Sequence, residues 1–204
     1  CFGFLFYSYN ITIFGALLPF FKKYLFPDQT DFVNTLIASC PILTAIVGAI
    51  IAGFVCLRIG RRKAMILFDL IAIGGVIVSL IDNLVCLFVG RLLLGFTIGI
   101  TSVAAPLYFS EISPVVYRGE FTNGPPLFGA FGILFATLLG LLVPSELAPG
   151  ETSGTWRVLL ALAVISLILR ILNFLAFFRH ETPYYYVIKS KYAKAAKGLR
   201  ATMN

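Results

Sequence analysis

The chain has 204 residues, of which 59% are hydrophobic and only 12% are Asp, Glu, Lys or Arg. A water-soluble domain carries about 25% charged residues, so an ordinary soluble fold is excluded and lipid is the organising solvent. The formal net charge of +7 does not point to nucleic acid, because no basic face interleaves with aromatics. The cations fall in short segments between apolar runs and in the C-terminal tail, where they set topology and meet anionic headgroups, so membrane lipid is the first expected partner.

The first apolar run, Phe2 to Phe21, predicts a membrane span with a polar trio, Ser8, Asn10 and Thr12, at mid-depth. It is too long for a cleavable signal and lacks a basic n-region. The chain opens on Cys1 rather than Met, and a preceding segment is expected. Lys22-Lys23 and Pro27-Asp28 begin a polar loop to about Asp31. A second span runs from about Phe32 to Leu57, with Ala45, Ala49 and Gly53 repeating every four residues as a close-approach face. Four cations then fall between Arg58 and Lys63. A Lys or Arg at the bilayer centre costs roughly 2.5–3.5 kcal/mol, so this segment is expected to be a tight cytoplasmic loop. A third span covers Ala64 to Ile81, and Asp82-Asn83 is a minimal turn.

The fourth span, about Leu84 to Ser113, holds Gly95 and Gly99, a Pro at 106, and Arg91, which needs a partner inside the membrane. After a turn at 114–120, a fifth span is expected from about Asn123 to Val143, with Pro125-Pro126 at or near its start and Gly132, Ala136 and Gly140 as a second small-residue ladder. Pro144 to Thr155 is a polar loop, and the sixth span is expected from about Trp156 to Phe178. From Arg179 the chain is basic, and its Tyr-rich start predicts a short amphipathic helix at the membrane surface. This divides the chain into a six-helix bundle, residues 1–178, and a cytoplasmic-side basic helical segment, residues 179–204. Cations concentrate at 58–63, Arg118 and the tail, while Asp28, Asp31, Asp82, Glu146 and Glu151 collect in the opposite loops. Both termini are therefore expected on the cytoplasmic side, or in the equivalent compartment of an organelle.

No catalytic constellation emerges. Cys1, Cys40, Cys56 and Cys86 are far apart in sequence, and His180 is the only histidine. Neither a metal site nor a cofactor is expected, and an enzyme is disfavoured.

Several motifs stand at matching places in this topology. The second loop reads Gly53-x4-Arg58-x-Gly60-Arg61-Arg62. The fourth span reads Gly90-Arg91-x3-Gly95-x3-Gly99 and ends Pro106-x-Tyr108-x2-Glu111-x2-Pro114-x3-Arg118-Gly119. The sixth opens with Trp156-Arg157 and exits through Glu181-Thr182-Pro183. Together these resemble the sugar porter branch of the major facilitator superfamily, across essentially the whole chain but only over that fold's N-terminal half.

The resemblance implies an all-α membrane protein of six transmembrane helices, arranged as two inverted three-helix repeats. It implies transport of a sugar or other small polar solute by alternating access, against a second six-helix half in the same longer chain or a separate one. Arg58, Gly60, Arg61, Arg62, Glu111, Arg118 and Glu181 would form a cytoplasmic charge cluster whose Arg–carboxylate pairs latch helix ends and break as the halves rock. Tyr7, Asn10, Pro126, Gly129 and Ile133 would face the sugar substrate. Proton-coupled members carry Asp where this chain has Asn10. An amide cannot titrate, so the resemblance implies a uniporter. Three positions depart from the family pattern: Leu57 for a polar residue before Arg58, Tyr184 for the Arg of the exit motif, and Pro126 for a sugar-binding Gln. These departures fit a second reading, a transporter-derived structural subunit of a larger membrane complex.

Overall fold

The computed structural model describes residues 2–25, 30–112, 118–142, 154–176, 181 and 183–188, with backbone alone at 24–25, 31, 112, 118–123, 183 and 188. The described residues form helices α1 (Phe2–Phe20), α2 (Asp31–Ile59), α3 (Arg61–Ser79), α4 (Leu84–Ile112), α5 (Arg118–Gly140), α6 (Thr155–Ala176) and α7 (Pro183–Ile188). A π-helical turn, Phe21–Leu25, extends α1. Four stretches are long and apolar enough to cross a membrane: Phe2–Lys23, Phe32–Ile59, Leu84–Glu111 and Thr155–Ala176. Within α5 the apolar stretch is shorter, Gly124–Gly140. The remaining long helix, α3, carries Arg61, Arg62, Lys63 and Asp69.

The helix ends correct several expected boundaries. Arg58 lies in the last turn of α2, and Arg61 to Lys63 open α3, so the expected loop at 58–63 shrinks to Gly60 alone. Gly60 has φ 100°, and a Cβ there would sit 2.8 Å from the Glu181 carboxyl carbon. Both the backbone and the space therefore demand glycine. Arg118 is the first residue of α5 rather than part of a turn, which leaves Pro125 and Pro126 inside the helix instead of at its start. Proline's fixed φ suits a helix, and its lost N–H is tolerated in membrane helices where neighbours take up the freed carbonyl. The chemistry is visible at Pro41 in α2. The carbonyl of Ile37, deprived of its helical donor, instead accepts the Cys40 thiol at 3.2 Å. Beyond Ile188 the expected basic helical segment lies outside the described residues, as do Arg179 and His180.

In this bundle α1 packs on α5 and α6, α4 packs on α2 and α3, and α3 meets α6. Phe6, Ile13, Phe14 and Leu17 of α1 join Val76, Leu94, Ile98, Leu159 and Leu167 in the main core cluster. The Tyr9 hydroxyl ties α1 to α6 by donating to the Leu159 carbonyl at 2.7 Å. The ladder in α5 faces α1: Gly132 lies against the Leu5 backbone, Ala136 is buried, and Gly140 is beside Ala16. The ladder in α2 is shifted from the expected one. Pro41 and Ala45 receive Gly95 and Gly99 of α4, and Gly48 meets the Phe96 carbonyl, whereas Gly53 has nothing within 4 Å of a built Cβ.

That shift makes a test. Gly99→Leu drives a side chain into the Ala45 backbone and is expected to cost about 1–3 kcal/mol or more, since overpacking a close interface forces helices apart. Gly53→Ala is expected to be neutral or slightly stabilising. Thermal unfolding midpoints in nanodiscs measure both, and a larger drop for Gly53→Ala than for Gly99→Leu would contradict the packing.

Candidate functional site

Three polar constellations sit on this scaffold. The first closes the arginine-lined end of the bundle. Arg61 and Glu111, brought together by the first turn of α3 and the last turn of α4, form an ion pair at 2.9 Å. Both are largely buried, and the pair is single-pronged, leaving the second Glu111 oxygen without a partner. Among the described residues the Arg62 side chain meets no carboxylate. Its guanidinium donates twice to the Phe174 carbonyl, at 2.8 and 3.2 Å, and so ties α3 to the end of α6. Glu181 differs from expectation in the same way. Its carboxylate accepts the backbone N–H groups of Arg62 at 3.1 Å and Lys63 at 3.0 Å. It thus caps the N-terminus of α3, where free amides and the helix dipole favour an anion. Arg58 is exposed, and its carbonyl accepts the Tyr185 hydroxyl at 3.3 Å. The Arg118 side chain lies outside the described residues. Tyr184, which replaces an expected arginine, presents its ring to Arg61 at 5.3 Å from the centroid, a cation–π contact.

The second constellation lies within the membrane. Asn10 is 1% exposed, and its side-chain oxygen accepts a 2.7 Å hydrogen bond from Arg91 of α4. The Arg91 guanidinium also lies 3.8 Å from the Phe14 ring centroid. This supplies the partner that an intramembrane arginine needs.

The third is an ion pair that the motif reading does not include. Asp69 of α3 is fully buried, and Arg170 of α6 is 7% exposed. Arg170 reaches Asp69 with both prongs, Nε to Oδ2 at 2.7 Å and Nη2 to Oδ1. The sequence signal for this pair is plain in retrospect: each is an isolated charge in an apolar run, and such a charge calls for a partner. The pair lines a cavity of about 130 Å³ among α1, α3, α4 and α6, which also takes Tyr7, Thr97, Thr101 and Ser102.

Of the residues expected to face substrate, Tyr7 lines this cavity; Asn10, Pro126, Gly129 and Ile133 do not. Pro126, Gly129 and Ile133 share one side of α5 by spacing. Pro126 and Ile133 are exposed, while Gly129 is buried beside the Ser8 hydroxyl of α1. At the opposite end from the arginines, Arg157 pairs with Asp82 at the surface.

Comparison with known proteins fixes the family. The model of the family described as "Sugar (and other) transporter" matches residues 1–204. The chain is 34% identical over 202 residues to a probable inositol transporter 2 of Arabidopsis thaliana, covering 97% of this chain and 33% of that protein. It is 29% identical over 196 residues to the galactose-proton symporter of Escherichia coli K12, covering 96% of this chain and 40% of that one. It therefore spans between a third and two-fifths of the length of these relatives. Among solved structures, the proton:xylose symporter XylE bound to 6-bromo-6-deoxy-D-glucose superposes with a TM-score of 0.87 at 18% identity, over 100% of this chain and 48% of that one. The relatives and the fold are those of multi-pass membrane transporters, not enzymes. Six long helices with the fold of one half of a major facilitator protein, carrying a family match from end to end, place this chain in the Sugar (and other) transporter family.

Proposed function

We propose that this chain forms the N-terminal wall of a uniporter for a sugar or cyclic polyol, working by alternating access against a second six-helix half. Family membership supports solute transport, and the names of the relatives support the solute class. The observation that carries uniport is the Asn10–Arg91 contact. An amide occupies the buried place opposite Arg91, and an amide holds no exchangeable charge with which to drive a proton cycle. Residues 1–178 make the transmembrane bundle in this reading, with 179–204 as a basic segment on the cytoplasmic side. The Arg61–Glu111 pair and the Glu181 cap are the latch on that side, set when the bundle ends are together. Tyr7 on α1 and the Pro126, Gly129 and Ile133 side of α5 face the second half.

One observation favours the alternative, an accessory subunit of a larger complex: Pro126 places an exposed ring with no hydrogen-bonding group on that side of α5.

Proteoliposomes holding this chain together with its second six-helix half test the reading, with labelled myo-inositol and glucose and an imposed proton gradient. The expected result is uptake that equilibrates without accumulation and ignores the gradient. Asn10→Asp is expected to make uptake gradient-sensitive, because it places a titratable carboxyl against Arg91. Gradient-driven accumulation by the native protein would overturn uniport, and absence of uptake of either solute would favour the accessory subunit.

A further inference from the structure

Arg170 stands outside the sequence motifs, yet it touches the helix that carries Tyr7. We propose that Arg170, locked by Asp69, is a positioning residue for transport: the first turn of α1 rests against it, and it sets where Tyr7 stands. The proposal rests on the reading of Tyr7 as a residue that faces solute and the second half, and it adds the side chain that places it.

The contact is between a guanidinium and a helix backbone. A Cβ built on Gly3 would overlap Arg170 Nη1 and lie 3.0 Å from the guanidinium carbon. On its other side Thr101 Cγ2 of α4 would be 3.3 Å away, so Gly3 is wedged between α6 and α4. An arginine tip ordinarily yields to such a neighbour, because its long stem has many rotamers. This one is held. Nε donates to Asp69 Oδ2 at 2.7 Å and Nη2 pairs with Oδ1, a two-pronged geometry that fixes the plane of the fork. Asp69 is itself fully buried in α3. Nη1 is buried with no hydrogen-bond partner, as befits a nitrogen pressed onto the α1 backbone. The ion pair thereby turns a flexible side chain into a rigid prop.

The place of Tyr7 follows from that of Gly3. The two are one helical turn apart and share a face of α1. Both line the cavity of about 130 Å³ that Asp69 and Arg170 also border. Tyr7 is 37% exposed, and the cavity leaves its ring without packing on the inner side, so the path of the α1 backbone decides where the ring stands. Farther along the helix, Tyr9 is tied to the Leu159 carbonyl and Asn10 to Arg91. Those bonds do not reach the opening turn, which Gly3 seats on Arg170. A larger residue at position 3, or a softer one at position 170, therefore moves Tyr7 relative to the second half.

The test uses this chain together with its second six-helix half, in proteoliposomes for uptake of labelled glucose and myo-inositol and in nanodiscs for labelling. Gly3→Ala is expected to raise the KM for uptake by about tenfold with a smaller change in maximal rate, because slight misplacement of a positioned group is costly. Asp69→Leu/Arg170→Met removes both charges together at similar volume, a change that cores tolerate, and replaces the prop with a flexible tip. It is expected to raise KM as well, and Gly3→Ala added to it is expected to change KM little further. Equal effects of Gly3→Ala in the two backgrounds overturn the positioning role, since independent sites add. Tyr7→Cys gives a readout free of transport. Its alkylation rate, measured on the peptide that carries it, is expected to shift with Gly3→Ala in the otherwise native protein and not in the neutralised pair. An unchanged rate in the otherwise native protein overturns the proposal whatever the uptake. If the native protein takes up neither solute while the shift appears, Arg170 still places Tyr7 and the transport reading alone fails.

Discussion

Arg61→Leu is expected to destabilise the bundle by about 3–5 kcal/mol, the cost of stranding one member of a buried ion pair. Arg61 is 4% exposed and Glu111 14%. One Glu111 oxygen already lacks a partner, so losing the guanidinium leaves the carboxylate with no compensating charge among the described residues. Arg62 cannot swing across without giving up both bonds to the Phe174 carbonyl. The cation–π contact with Tyr184 disappears at the same time. Removing both partners in Arg61→Met/Glu111→Leu is expected to recover most of the loss, because no isolated charge remains. Thermal unfolding midpoints of the two single variants and the double variant complete the cycle. Additive single effects would show that Arg61 and Glu111 do not act as a pair.

The second large effect is expected at Asp69. Asp69→Leu alone leaves Arg170 charged between α1, α3 and α6, and is again expected to cost about 3–5 kcal/mol. Only neutralisation or a local water path would relieve it. Arg170→Met alone strands the carboxylate with the same sign and a similar size. These two positions are 101 residues apart, and they join α3 to α6, which no short loop connects. Their loss is therefore expected to loosen the contact between the two three-helix repeats, read as faster hydrogen exchange in α3 and α6 than in α2 and α4. A uniform change across all helices would contradict that assignment.

Much of this fold is legible in the chain, and the misses have physical causes. Apolar runs locate all six long helices, because lipid forces each spanning segment to satisfy its own backbone. Helix ends are read less well at Arg58, Arg61 and Arg118. A charge ends an apolar run but not a helix, and long basic side chains continue it into the interface. The α2 contact face is missed because a strict four-residue repeat drifts around the helix. From Ala45 to Gly53 the side-chain direction turns by about 80°, whereas Ala45, Gly48 and Ala52 stay within about 60° of one another. Glu111 and Glu181 are recognisable as anions at the arginine-lined end, yet among the described residues only Glu111 of the two takes an arginine side chain. The backbone amides at the start of α3 claim Glu181, and no spacing rule separates the two outcomes. Asp69 and Arg170 escape a motif reading because each stands alone in its helix, and only the packing of α3 on α6 pairs them.

The account stands or falls on transport by two halves around a shared cavity. The direct measurement is saturable uptake of labelled glucose and myo-inositol into proteoliposomes, with mirror-image glucose as the control, comparing the 204-residue chain alone with the chain together with a second six-helix half. One six-helix bundle supplies only one wall, and alternating access needs a second wall to rock against. The predicted result is stereoselective, saturable uptake by the two halves together and none by the isolated chain. Saturable, stereoselective uptake by the isolated chain would contradict the two-wall account, and its absence from the two halves together would contradict transport itself.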